Sequence, residues 1–265
     1  MSTLPRVVAH RGSSSEFAEH TRSAYRHALA EGADGLECDL RLTRDLVPVL
    51  LHDSRLDATT SASGAVGDWT AEQLDAVTVG PRTTAKARRR REREQQLEPA
   101  GEPQIETGVL RLRELFALAA AAGRPVELAL ETKHPTRGGR HLEAAVVDAL
   151  AEQPDLRPGV RIMSFGSGAL RRVRALDPRL PTVLLLPDPR AGHRSALLPP
   201  WADAVGPSVR HLRRDPDLVA RMHDAGHEVH VWTVDDLRDL DRCVTLGVDV
   251  VISTRPGDLL RRLGR

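Results

Sequence analysis

A chain of 265 residues is long enough to bury one large core, and its 38 basic and 37 acidic residues leave a net charge of +1. That balance offers no global field for nucleic acid or for an anionic surface, and aromatics at 3% are too few for a base-stacking face. Two cysteines exclude a disulfide scaffold, no run approaches the roughly 18 apolar residues of a membrane span, and the first residues lack the pattern of a secretory leader. The expectation is a cytoplasmic protein, one domain over 1–265, with no stable membrane insertion and no nucleic-acid partner.

Residues 6–10 read as a strand, and 21–31 as a helix with Ala24, Ala28 and Leu29 on one face and Gly32 beyond its end. Strands are expected at 35–40 and 47–52. A helix over 112–122 stops at Gly123, and 126–131 is the next strand. A helix at 141–152, a strand at 160–165 and a helix at 167–176 follow. The strand 182–186 precedes a proline-rich loop. A short strand at 202–206, a helix at 215–225, a strand at 229–234, a helix at 236–246, a strand at 248–253 and a closing helix from Pro256 complete the series. Roughly eight β/α units imply parallel strands, hence either a closed α/β barrel or an open doubly wound sheet; the count favours the barrel.

One segment breaks this rhythm. Residues 61–106 are far longer than an ordinary loop between a strand and a helix. Within it, 82–98 carries seven basic residues (Arg82, Lys86, Arg88, Arg89, Arg90, Arg91, Arg93) against Glu92, Glu94 and Glu98. This is the composition of a solvated, mobile excursion, with a basic lid over an anionic substrate as the sharper alternative.

The chemistry gathers at strand ends. In a parallel α/β fold the carboxyl ends of the strands converge on one rim, which should bring His10, Arg11, Glu37, Asp39, His52, Glu131 and Lys133 together. Side chains alternate along a strand, so Glu37 and Asp39 point one way and Leu36, Cys38 and Leu40 the other. Two buried acids on one face repel each other. A cation between them resolves this, as does pairing with a nearby Arg or Lys. Glu131 adds a third carboxylate from another strand, a donor set suited to one hard divalent cation, Mg²⁺ or Ca²⁺, with Mn²⁺ also compatible. No His or Cys spacing suits zinc. His10 and His52 end apolar strands and can exchange protons near neutral pH, one activating an attacking hydroxyl and the other protonating a leaving oxygen. Arg11 can bind phosphate oxygens bidentately, Lys133 can serve as a point charge, and Gly12 permits close backbone approach. The set describes metal-assisted cleavage of a phosphoester.

These residues stand in motifs resembling the glycerophosphodiester phosphodiesterases. The matching segments are Ala9-His10-Arg11-Gly12, Gly32-Ala33-Asp34-Gly35-Leu36-Glu37-Cys38-Asp39, Pro48-Val49-Leu50-Leu51-His52-Asp53, Leu56-Asp57-Ala58-Thr59-Thr60, Leu130-Glu131-Thr132-Lys133, Ser164-Phe165, Val231-Trp232-Thr233-Val234 and Gly247-Val248-Asp249-Val250-Val251-Ile252. The resemblance runs in order from about residue 7 to 260. It implies a TIM-type (β/α)₈ barrel with a small insertion after the second strand, and hydrolysis of a glycerophosphodiester to sn-glycerol 3-phosphate and an alcohol. It also implies metal ligation by Glu37, Asp39 and Glu131, acid–base catalysis by His10 and His52, phosphate contacts from Arg11 and Lys133, and a glycerol pocket lined by Trp232. Two positions depart from the family pattern. The segment Ala18-Glu19-His20-Thr21 carries His20 where the family shows an amide, and Ser253-Thr254-Arg255-Pro256 lacks a rim carboxylate at Thr254. A phospholipase D-like enzyme acting on lysophospholipids and a catalytically silent phosphoester-binding barrel are the alternatives. The first would show apolar loops at the rim, for which 197–201 is the one candidate, and the second would be expected to lose a catalytic residue.

Overall fold

The computed structural model describes residues 4–80, 105–136, 138–186 and 198–265. Eleven strands occur among them: β1 (Arg6–His10), β2 (Gly35–Leu42), β3 (Pro48–Leu50), β4 (Thr78–Val79), β5 (Glu106–Thr107), β6 (Glu127–Thr132), β7 (Val160–Ser164), β8 (Thr182–Leu186), β9 (Ala204–Pro207), β10 (Glu228–Trp232) and β11 (Val250–Ser253). β1 pairs in parallel with both β2 and β11, and parallel pairing continues through β6, β7, β8, β9 and β10, so eight strands close a barrel. Helices cover its outside, among them Arg22–Ala30, Leu112–Ala120, His141–Ala151, Ser167–Leu176, Leu237–Leu246 and Pro256–Arg262. This is the expected TIM-type (β/α)₈ architecture.

Alternation along the strands sorts the side chains into two cores. Outward-facing Leu36, Cys38 and Leu40 pack beneath the helices, and both cysteines are buried free thiols. Inward-facing Val8, Ala129, Met163, Val183, Leu185, Ala204, Val250 and Ile252 fill the middle of the barrel. Below this apolar layer a floor of charge closes the amino-terminal end. There Arg6 Nη1 meets Glu127 Oε1 at 2.6 Å and Arg6 Nη2 meets Glu228 Oε2 at 2.9 Å. Arg161 Nη1 lies 3.2 Å from Glu228, and buried His230 lies 3.0 Å from it. Three strands therefore read, from floor to rim, Arg6–Val8–His10, Glu127–Ala129–Glu131 and Glu228–His230–Trp232: charge below, chemistry above.

One sequence expectation is corrected, a second is refined, and the base of the insertion gains structure that the sequence left unassigned. The strand expected at 47–52 is not part of the parallel barrel. β3 spans Pro48–Leu50 and runs antiparallel to the end of β2, with Leu40 opposite Leu50 and Arg41 opposite Val49. Five residues separate the two strands, enough for a hairpin and far short of the dozen that a parallel crossover needs. Thr43 N donates to Val47 O at 3.1 Å and closes that turn. The helix expected at 215–225 is present as Leu218–Asp224, and a separate short helix, Val209–Arg214, which the sequence did not announce, precedes it. Pro216 disfavours helical geometry at Asp215, and the chain breaks there. The insertion is also more ordered at its base than composition suggests. A helix at Ala71–Leu74, capped by Thr70, and a two-stranded ladder of β4 with β5 enclose an apolar cluster of Val49, Leu51, Leu56, Val66, Leu74, Val77, Val79 and Val109. The basic stretch 82–98 lies outside the described residues.

Candidate active site

Strand register assembles the rim. In the β1–β2 pair His10 is opposite Glu37, and in the β2–β6 pair Asp39 is opposite Glu131. These four, with Arg11 and Lys133, therefore come from three adjacent strands. His52 arrives differently from expectation: the β2–β3 hairpin folds it back over the rim instead of a barrel strand delivering it. A cavity of about 280 Å³ is lined by His10, Arg11, Glu37, His52, Glu131, Lys133 and Trp232, together with Met163, Phe165, Leu185, Thr233 and Ile252. Asp39 sits behind that lining, fully buried.

Gly12 makes the turn after His10 possible. Its φ is +80°, and a β-carbon there would stand 2.6 Å from the Ala24 backbone. Thr21 accepts from Ala24 N and starts the helix that packs against this turn.

The cationic side chains are paired with the acids. Arg11 Nε lies 2.8 Å from Asp39 Oδ2, and its Nη1 lies 3.2 Å from Glu19 Oε2. Lys133 Nζ stands 2.9 Å from Asp39 Oδ1 and 2.7 Å from Glu131 Oε1. Pairing with Arg and Lys, the alternative to a cation, is thus present in the structure. These contacts set the electrostatics. Burial and the adjacent Asp39 push Glu37 well above the usual carboxylate range. Burial and Asp39 likewise push Glu131 up to about 7. For Asp39 burial also opposes ionisation, but Arg11, Lys133 and the hydrogen bond from His20 outweigh it and hold the group well below its ordinary value. Burial, then Arg11, depresses both imidazoles, His10 the more strongly, so both rest neutral.

The three acids nevertheless fit a hard cation. Glu37, Asp39 and Glu131 each offer an oxygen within 4.8 Å of the others, and all three are buried. Asp39 Oδ1 is buried, and the Lys133 ammonium at 2.9 Å is the one partner the structure gives it among the described residues. A buried oxygen facing two further carboxylates is a ligand set for Mg²⁺ or Ca²⁺.

The opposite wall is apolar. Trp232 donates through Nε1 to Gly206 O at 2.7 Å and meets Phe165 edge-on, with ring centroids 5.5 Å apart at 88°. Phe165 is 42% exposed at the rim. The sequence reading missed its place in the site, although Ser164-Phe165 is one of the matching motifs. His20, noted in the sequence as a departure from the family's amide but given no role there, is buried and bonds Asp39 through Nε2 at 3.0 Å and the Tyr25 hydroxyl through Nδ1 at 2.8 Å. At the other departure, Thr254 N donates to Asp235 Oδ1 at 2.8 Å, so a carboxylate from the preceding loop stands against this segment.

The carboxyl rim of a closed (β/α)₈ barrel thus holds buried acids, two imidazoles and two paired cations. The model of the "Glycerophosphoryl diester phosphodiesterase family" matches residues 10–258, and the chain belongs to that family. It is 39% identical over 259 residues to the "Probable glycerophosphodiester phosphodiesterase 1" of Mycobacterium tuberculosis, covering 96% of this chain and 90% of that one. It is 31% identical over 265 residues to a glycerophosphodiester phosphodiesterase of Caldanaerobacter subterraneus, covering 98% and 97%. The crystal structure of an Oleispira antarctica phosphodiesterase in complex with the product sn-glycerol-3-phosphate shares the fold, with a TM-score of 0.77, 22% identity, and 99% and 98% of the two chains covered. Among the described residues no helix is long and apolar enough to cross a membrane.

Proposed function

We propose that the protein hydrolyses glycerophosphodiesters to sn-glycerol 3-phosphate and an alcohol, with Glu37, Asp39 and Glu131 holding one divalent cation and His10 and His52 moving the protons. The observation that carries this reading is the register that gathers the three acids beside His10, with Glu37, Glu131 and His10 lining the cavity and Asp39 directly behind them. The product bound by the Oleispira relative supports the choice of substrate.

When bound, the cation supplies positive charge for the phosphate. The chain's own groups do the rest. Arg11 and Lys133, already inside the acid cluster, neutralise the remaining phosphate oxygens. Asp53 Oδ1 stands 2.7 Å from His52 Nδ1, which fixes that nitrogen as donor and leaves Nε2 free to accept the proton of the attacking hydroxyl. His10, neutral at rest, takes up a proton from solvent as the phosphate anion enters and raises its proton affinity, and gives that proton to the leaving oxygen. Trp232 and Phe165 offer apolar faces to the carbon skeleton.

The test is an assay of the purified protein against a panel of glycerophosphodiesters and lysophospholipids, with and without EDTA, reading released glycerol 3-phosphate for the former and the freed head-group alcohol with lysophosphatidic acid for the latter. Turnover of lysophospholipids alone selects the phospholipase D-like reading. Binding of the panel without turnover selects the silent barrel.

A further inference from the structure

Arg41 follows Glu37 and Asp39 on the inward face of β2, one step above the acid pair. It is only 8% exposed. Among the described residues its hydrogen bonds go to backbone carbonyls, not to carboxylates. Nε and Nη2 both donate to His52 O, at 3.0 and 2.7 Å, and Nη1 donates to Pro135 O at 3.2 Å. One guanidinium therefore grips two separate rim segments, the one after β3 that carries His52 and the one that follows Lys133. Each segment also has a backbone tie to β2: Leu51 N donates to Asp39 O at 3.0 Å, and Lys133 N donates to Leu40 O at 3.2 Å. Neither of those ties reaches His52 itself.

From this geometry we infer that Arg41 is a positioning residue for His52, fixing the imidazole over the cavity by clamping its backbone carbonyl to the segment after Lys133. The inference rests on the proposed acid–base role of His52. The chemistry of the side chain supports it. A planar fork with donors on three nitrogens can hold two carbonyl groups at once, whereas a lysine ammonium is a point charge. Burial draws the proton affinity of the guanidinium down, so it is held here at a cost that carbonyl bonding offsets. A small displacement of a proton-transfer group is enough to cost catalysis heavily, roughly a hundredfold per ångström.

The experiment is a double-mutant cycle between Arg41→Lys and His52→Ala, on the full chain with saturating Mg²⁺. Arg41→Lys keeps the charge, and circular dichroism and the melting curve establish that it folds. The single change should lower kcat roughly 10- to 100-fold with KM within about threefold. In the His52→Ala background it should cost less than about twofold, because the group it positions is already gone. Equal losses in both backgrounds overturn the inference. A second readout needs no turnover. The His52 ring resonances, assigned by their absence in His52→Ala, should shift and broaden in Arg41→Lys while those of His10 stay in place. Unchanged His52 resonances overturn the inference even where wild-type protein cleaves no ester, and such inactive wild-type protein separately overturns the proposed function.

Discussion

The His20 ring stands 3.0 Å from the carboxylate of Asp39, and the Tyr25 hydroxyl holds its other nitrogen at 2.8 Å. Tyr25 in turn donates to Glu37 O at 3.1 Å, so one buried chain of contacts runs from the helix Arg22–Ala30 to two of the three acids. His20 has φ +61°, a left-handed conformation that asparagine tolerates better than most side chains. His20→Asn should therefore fold and keep a donor near Asp39, whereas His20→Ala should release the carboxylate. Partners of this kind typically change metal affinity by roughly 10- to 100-fold. Calorimetric titration with Mg²⁺ or Ca²⁺ should show weakening of that order for His20→Ala and less for His20→Asn. Equal affinity in all three proteins would remove His20 from the site.

Metal removal gives a second expectation. Protein stripped with EDTA should be inactive, and Mg²⁺ or Ca²⁺ should restore turnover. Cation at about 100 times Kd should also raise folding stability by about 2.7 kcal/mol, seen as a higher Tm. Glu37→Gln should abolish most of that increment while the far-ultraviolet spectrum stays native. Full activity of stripped protein in excess chelator contradicts the cation role.

Proton transfer gives the third. His10→Ala and His52→Ala should each lower kcat by roughly 10² or more. The double variant should fall less than the product of the two losses, because both act in one step. Near-normal kcat in either single variant removes that histidine from the chemistry.

The barrel floor gives a prediction about pH and stability. The hydrogen bond from His230, with Arg161 and Arg6 near by, holds Glu228 at about 2, against about 4.3 for an unfolded glutamate. A carboxylate depressed on folding contributes stability that is fully present above the unfolded value and is lost as pH falls toward the folded one. Burial moves His230 in the same direction of consequence: its depressed proton affinity lets the unfolded chain take up a proton first as pH drops below about 6.5. Urea denaturation should therefore show wild type more stable than Glu228→Gln at pH 7, with the gap narrowing between pH 5 and pH 2. A gap that is constant across that window would mean the floor network contributes nothing through ionisation.

Much of the site was legible in the sequence because strands repeat every two residues. Glu37 with Asp39, and Glu131 with Lys133, announce a shared face from spacing alone, and the register sets Asp39 against Glu131 as that reading requires. His52 was placed on the right rim for the wrong reason, since a hairpin and not a parallel strand brings it there. Arg11 and Lys133 were read first as phosphate ligands, and the fold shows them bound to Asp39 before any substrate arrives. His20 is legible only as a departure from the family's amide, without its partners, and Tyr25 and Arg41 are not legible as site residues. Their partners lie 11 or more residues away or across a turn with left-handed backbone, and no local pattern encodes that meeting.

The ion-paired floor has a consequence for traffic. Arg6, Glu127, Arg161 and Glu228 seal one end of the barrel, and the apolar plug above them leaves no through-passage. The active site is a cup and not a tunnel, so whatever enters must leave by the same mouth. A long molecule cannot be threaded through and cut along its length. Whatever part of a molecule is to reach Glu37, Asp39 and Glu131 must therefore approach them from the carboxyl rim.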